Sequence, residues 1–229
     1  MTITQAHAMP ASSSARKAAI FDLDGTLLDS MGVWSQIDVD FLARRGFAVP
    51  QDYTAIVAPM EFRQIADYTI ARFGLDETAE AVMAEWDAMA HEAYANAVQA
   101  KPGAAEYLRD LKAAGVRLGV ATTLTRGLRE PALRHTGLFD LFDDIISPDE
   151  AGCPGKSRPD VYLLEAGRLG VEPADCIVFE DLLVAIRSAK SAGMRAWGMY
   201  DDSSADDWPE IRAVADGVLH DFRDAPRSW

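Results

Sequence analysis

The run Lys17-Ala18-Ala19-Ile20-Phe21, continuing directly into Asp22-Leu23-Asp24-Gly25, constrains this chain more than any other stretch. Ala18 to Phe21 is continuously apolar, the pattern of a parallel strand covered on both faces, and it ends abruptly in carboxylates. Asp22 and Asp24 would point to the same side of an extended chain, and Gly25 signals that the backbone turns there. Open α/β sheets place their chemistry at the carboxyl ends of strands. Two carboxylates this close repel one another, and a hard divalent cation such as Mg²⁺ is the usual remedy. Taken alone, Asp-x-Asp-Gly is also an ordinary turn sequence. The downstream residues decide between a turn and a site.

Beyond Ser30 the pattern becomes helical. Val33, Trp34, Ile37, Phe41 and Leu42 form an apolar stripe that ends at Gly46. Pro50 to Pro59 reads as irregular. Phe62, Ile65, Ala66, Thr69, Ile70 and Phe73 then recur at helical spacing up to Gly74. A third helix is expected over about Thr78 to Ala97, with Val82, Met83, Trp86, Met89, Ala90 and Tyr94 on one face. No strand separates these helices, so they read as a small all-α insert.

From Lys101 strands and helices alternate. Pro102-Gly103 opens a helix through Leu111, and Gly115 stops it. Strands are expected at Val116–Ala121, Asp144–Ser147, Cys176–Phe179 and Met194–Met199. Helices are expected from about Arg126 to His135, Arg158 to Leu169 and Leu182 to Ala192. Alternation of this kind predicts an α/β fold with a doubly wound parallel sheet and right-handed crossovers. The expected organisation is a disordered tail over residues 1–16, an α/β catalytic core over 17–30 and 101–229, and an α-helical cap over 31–100. Hinges are expected near Ser30 and near Ala100 to Gly103.

Composition narrows the function classes. A chain of 229 residues with 49% hydrophobic residues can bury a sizeable core. A net charge of −14 disfavours a nucleic-acid partner, and any anionic substrate must be met by local cations or a metal. Cys153 and Cys176 are too few and too far apart for a metal cluster and are expected as free thiols. Residues 1–16 lack the apolar segment of a signal peptide, and no apolar run reaches membrane-spanning length. A cytoplasmic enzyme without membrane contact, monomeric or a weak homo-oligomer, is the expectation.

Neighbouring strand ends converge on one crevice in such a sheet. The first strand offers Asp22 and Asp24, the second Thr122, the third Lys156 after its loop Gly152-Cys153-Pro154-Gly155, and the fourth Glu180 and Asp181. Together these supply a nucleophile, an acid/base, a hydroxyl, a cation and a metal-binding pair. Glu180 and Asp181 could instead cap the helix beginning at Leu182, since acids are favoured there. Thr123 could replace Thr122 as the working hydroxyl, and Lys156 alone would be an ordinary surface lysine.

The four segments resemble the four motifs of the haloacid dehalogenase superfamily, whose members are mostly Mg²⁺-dependent phosphatases and phosphotransferases. Asp22-Leu23-Asp24-Gly25-Thr26-Leu27 resembles the first, and Val120-Ala121-Thr122 the second. Lys156-Ser157-Arg158-Pro159-Asp160 resembles the third, with Ser157 where Pro is common. Val178-Phe179-Glu180-Asp181 with Ala192-Gly193-Met194 resembles the fourth, with Leu182 in place of a small polar residue and Ala185 in place of a frequent Gly. The motifs span residues 17 to 199 in order. The α insert lies between the first two, as in members with a helical cap there, the phosphatases and beta-phosphoglucomutase-like enzymes.

The resemblance implies roles. Asp22 attacks phosphorus to form an aspartyl-phosphate. Mg²⁺ is held by Asp22, the carbonyl of Asp24 and Asp181, with Glu180 beside it. Lys156 offsets charge, Thr122 holds phosphate oxygens, and Asp24 serves as acid and then base. Dehalogenating and phosphonate-cleaving members lack the second acid, so Asp24 points to phosphate esters. Mutases of this cap type carry histidine where this chain has Trp34. Asp29-Ser30-Met31-Gly32-Val33-Trp34 instead resembles a form seen in sugar-phosphate phosphatases, with Gly32 in place of Pro. In the loop Ala58 to Arg63, Glu61 and Arg63 are candidate substrate contacts, as are Trp34 and Thr123. Either loop residue could equally be a solvated helix start.

The leading expectation is a Mg²⁺-dependent phosphatase of small phosphorylated metabolites, sugar or polyol phosphates, with phosphoglycolate as an alternative ester. A beta-phosphoglucomutase-like phosphotransferase is the second reading. A phospho-acceptor switch without turnover is the third, and Asp24 counts against it because a switch needs no leaving-group acid.

Overall fold

The computed structural model describes residues 16–57, 60–153 and 155–228. The expected tail over residues 1–16 lies outside the described residues except for Arg16, as do Ala58, Pro59 and Pro154 of the loops named above. The core sheet contains β1 (Ala18–Phe21), β4 (Arg117–Ala121), β5 (Asp144–Ile146), β6 (Cys176–Glu180), β7 (Arg195–Met199) and β8 (Gly217–Leu219), in the order β5-β4-β1-β6-β7-β8. Every pairing in it is parallel, as the near-continuous apolar strands require. Around it stand α5 (Ala104–Ala113), α6 (Arg126–His135), α7 (Asp160–Leu169), α8 (Leu183–Ser191) and α9 (Trp208–Val214). The chain runs outward from β4 to β5, then crosses β1 to begin β6 on the other side. That reversal puts a crevice at the carboxyl ends of β1, β4 and β6.

Both faces of β1 are buried. Phe21 stacks on Phe179 of β6 with centroids 4.8 Å apart, and Tyr107 of α5 meets Phe21 edge-on at 6.3 Å. Ala18 and Ile20 face the opposite side, toward Val161, Tyr162 and Ile186. Packing on two sides leaves the strand no freedom to slip, so the positions of Asp22 and Asp24 are set by the core beneath them.

The insert contains α1 (Val33–Ala43), α2 (Tyr53–Val57), α3 (Phe62–Phe73) and α4 (Ala79–Asn96). The segment from Pro50 to Pro59, expected as irregular, contains the short helix α2. It is held by Tyr53, which is fully buried and whose hydroxyl shares a 2.7 Å hydrogen bond with that of Thr69. Tertiary packing there overrides a locally weak helical pattern. Two further strands, β2 (Leu28–Asp29) and β3 (Gln99–Ala100), pair antiparallel where the insert leaves and rejoins the core. Two residues each are too short for a periodic signal. α4 packs along α6 of the core, and the core cluster runs unbroken from Phe21 to Phe41 and Trp86.

Other departures are at element ends. The helix expected from Arg158 begins at Asp160, and Leu182 is the N-cap of α8 rather than its first residue. α9 and β8 extend the sheet beyond the last expected strand. Both cysteines are free and buried. Among the described residues no helix is long and apolar enough to cross a membrane.

Candidate active site

β1 ends at Asp22, only 5% exposed, whose N–H donates to the Phe179 carbonyl at 3.0 Å and so ties the ends of β1 and β6 together. β6 ends at Glu180, and Asp181 comes next; both are buried. One carboxylate oxygen from each of Asp22, Glu180 and Asp181 lies within 4.8 Å of the others. The turn between Asp24 and Leu28 makes room for this. Gly25 has φ +78°, and a Cβ there would stand 2.6 Å from Asp181 Oδ2.

Lys156 enters from the loop after β5 and is buried. Its ammonium donates to Asp22 Oδ1 and, at 2.5 Å, to Glu180 Oε1. Burial works against the charged ammonium, but the Asp22 and Glu180 charges outweigh it and hold the lysine above its ordinary pKa. Tyr162 of α7 donates to the same Glu180 Oε1 at 2.8 Å. Thr26 donates to Asp181 Oδ1 at 3.1 Å.

Two oxygens are left over. Glu180 Oε2 and Asp181 Oδ2 are buried with no hydrogen-bond partner among the described residues. Such groups are costly, by about 1–3 kcal/mol each, unless something else meets them. Burial raises both acids above the usual carboxylate range; Asp22 adds to this in each case, against Lys156 at Glu180. An all-oxygen set with unpartnered buried carboxylates fits a hard divalent cation. The hydrogen bonds of these acids run to Lys156, Tyr162 and Thr26 rather than to the first backbone N–H groups of α8, whose N-cap is Leu182.

Asp24 sits apart from that trio. Its Oδ1 accepts from Ser30 Oγ at 2.6 Å and from Tyr94 Oη at 2.9 Å. Burial raises its pKa and the Asp22 charge adds to this, while the two hydroxyl bonds oppose it. An acid whose pKa is raised by burial and held by two hydroxyls is a candidate for general acid/base work. Thr122, at the end of β4, is 1% exposed and its Oγ1 accepts from the Leu124 N–H at 3.0 Å. Thr123 next to it is exposed.

The remaining candidates lie on the helical insert. Trp34 is 40% exposed in the first turn of α1 and meets Phe62 edge-on at 5.8 Å. Glu61 is the N-cap of α3, where its N–H donates to Gln64 Oε1 at 2.9 Å. Arg63 makes an exposed ion pair with Glu80 at 2.7 Å. No described contact joins Glu61 or Arg63 to the carboxylate cluster. Sequence reasoning missed Thr26, Ser30, Tyr94 and Tyr162 as site residues. For Tyr94 a signal existed, a hydroxyl-bearing ring at the site end of the apolar face of α4. For Tyr162 none did.

A parallel sheet with a buried carboxylate trio and a lysine at its switch point defines the class as an α/β fold with its candidate site at the strand ends. A family model for haloacid dehalogenase-like hydrolases matches residues 16–193. Protein CbbY of Rhodobacter capsulatus is 31% identical over 218 residues, 87% of this chain and 95% of that protein. Hexitol phosphatase B of Escherichia coli (strain K12) is 29% identical over 185 residues, 78% of this chain and 81% of that protein. A solved HAD family hydrolase from Deinococcus radiodurans R1, with bound phosphate and sodium, has a TM-score of 0.70 at 30% identity, covering 89% of this chain and 90% of that one. The chain belongs to the haloacid dehalogenase-like hydrolase family, and within it is a phosphoric monoester hydrolase.

Proposed function

We propose that the protein is a Mg²⁺-dependent phosphatase of sugar or polyol phosphates that works through an aspartyl-phosphate on Asp22. One observation carries this reading. Asp22 is buried between a lysine ammonium and two further acids, and a separate acid with a raised pKa stands two residues on.

Asp22, Glu180 and Asp181 would hold the metal ion, together with the Asp24 carbonyl. Bound there, Mg²⁺ supplies charge neutralisation at the phosphate oxygens. Lys156 holds the Asp22 carboxylate in place and lowers the repulsion a carboxylate meets on approaching a phosphate dianion. Asp22 attacks phosphorus in line. Asp24, protonated beforehand, gives its proton to the departing alkoxide, and as a carboxylate it then takes one from the water that hydrolyses the acyl phosphate. Ser30 and Tyr94 fix the Asp24 rotamer. Thr122 is placed to hold a phosphate oxygen. Tyr162 holds Glu180 on the Lys156 side.

The sugar or polyol part rests on the hexitol phosphatase among the relatives and on Trp34, which stands where mutases of this cap type carry histidine. The test is phosphate release from hexose phosphates, hexitol phosphates and phosphoglycolate, with Mg²⁺ and with chelator, in wild type and Asp22→Asn. Metal-dependent release by wild type alone, highest on the sugar and hexitol esters, is the expected result. Release unaffected by chelator, or equal in Asp22→Asn, would overturn it.

A further inference from the structure

We propose that the helical insert carries a cation-recognising subsite built on Asp38, and that among sugar and polyol phosphates the preferred substrates are those whose alcohol half also carries a protonated amine at its far end. The inference deepens the phosphatase reading and rests on it for the reacting end only.

A cavity of about 320 Å³ lies between α1, α2, α3 and α4, lined among others by Trp34, Asp38, Thr54, Phe62, Ile65 and Trp86. Three rings form one wall: Trp34 meets Phe62 at 5.8 Å, and Phe62 meets Trp86 at 5.7 Å. Among the described residues Asp38 is the one charged residue of the lining. Its carboxylate makes no hydrogen bond or ion pair with any described residue, although it is half-buried. Other ionisable cap groups nearby are already satisfied: Arg72 binds Asp52 and Tyr68, and the Tyr53 hydroxyl binds Thr69.

An unpaired carboxylate beside aromatic faces is poorly matched to its surroundings, since the ring faces carry negative potential. A cation satisfies both at once, through charge at Asp38 and through the quadrupoles of the rings. Burial raises the Asp38 carboxyl to about 6, which leaves it mostly ionised at neutral pH. A neutral hydroxyl would satisfy one hydrogen bond and leave the charge unmet.

The cavity is connected to the acid/base candidate Asp24 through α4. Trp34 and Asp38 stand one turn apart on one face of α1. Tyr94, which bonds Asp24, stands eight residues along α4 from Trp86, about 12 Å at the helical rise. A substrate that reaches from the Tyr94 end of α4 to the cavity wall at Trp86 therefore spans about two helical turns, longer than a two-carbon acid and within reach of a ring with a short arm.

Two matched esters test this: 4-(2-aminoethyl)phenyl phosphate and its neutral isostere 4-(2-hydroxyethyl)phenyl phosphate. Wild type is expected to favour the amine by about tenfold in kcat/KM, chiefly through KM, with Asp38→Asn bringing the ratio near one and Asp38→Glu retaining a preference. The ratio is internal to each enzyme and so is independent of how much of a variant folds. Equal kcat/KM in wild type, or a preference surviving in Asp38→Asn, would overturn the proposal. Calorimetry with 4-(2-aminoethyl)phenol, which has no phosphate, reads the subsite alone. Binding weakened at least about tenfold in Asp38→Asn supports it, and no binding to wild type overturns it. Loss of phosphate release from both esters with that binding intact would contradict the phosphatase reading and leave the subsite standing.

Discussion

Tyr94 of the cap donates its hydroxyl to Asp24 of the core at 2.9 Å, across 70 positions of sequence. The bond ties the acid/base candidate Asp24 of the core to the helical insert. It gives the insert a direct hold on that carboxylate.

Removing Tyr94 or Ser30 takes a donor from the charged form of Asp24. Each of the two bonds lowers the Asp24 pKa, so Tyr94→Phe and Ser30→Ala should each raise it further. The pH–rate limb belonging to Asp24 should move to higher pH in both variants, with kcat lower by about tenfold. A limb that stays in place, or moves down, would show that Asp24 is not the group titrating.

Gly25 is held at φ +78° against Asp181 Oδ2. In Gly25→Ala the methyl group would displace that oxygen, and the backbone would resist by about 1–2 kcal/mol. Calorimetry should show Mg²⁺ affinity reduced at least about tenfold in protein that still melts cooperatively. Unchanged affinity would mean that Asp181 Oδ2 is not a ligand.

Because burial raises Glu180 and Asp181, protons compete with a metal for them. The affinity for Mg²⁺ should rise between about pH 6 and about pH 8, and binding should release protons, seen as a dependence of the calorimetric enthalpy on buffer ionisation. A pH-independent affinity would contradict the assignment of these acids as ligands.

Glu165 of α7 is fully buried over Gly119 of β4, and neither of its oxygens has a hydrogen bond of good geometry. Burial, with the Asp144 charge adding to it, raises its carboxyl to about 9. The folded protein therefore keeps a proton that the unfolded chain releases from about pH 4.5 upward, so this group lowers stability as pH rises across that window. Glu165→Gln removes the titration. Thermal melts should show wild type losing Tm more steeply than the variant from about pH 5 to about pH 8. Parallel profiles would contradict a raised Glu165.

The strand-end residues were legible in the sequence because a buried parallel strand leaves a plain apolar signature and its carboxyl end is where side chains become free to act. Asp22, Asp24, Thr122, Lys156, Glu180 and Asp181 all stand at or after such ends. The supporting hydroxyls were not legible. Tyr162 lies in the first turn of α7 beside Val161 and Leu164 and reads as core, and its bond to Glu180 exists only once α7 is packed on β1 and β4. The helix α2 and the β2–β3 pair were missed because their existence depends on tertiary partners rather than on local pattern. Asp38 gave no signal either, since an acid on a helix is ordinarily solvated.

Covalent chemistry at Asp22 is tested most directly by trapping the phosphoryl group. Wild type and Asp22→Asn would be mixed with a ³²P-labelled hexitol phosphate and Mg²⁺, quenched in acid, reduced with borohydride and digested. The predicted result is label retained on wild-type protein in the quench and homoserine in place of Asp22 after reduction, with neither in Asp22→Asn. Phosphate release by wild type without any labelled protein or reduced residue at position 22 would contradict it.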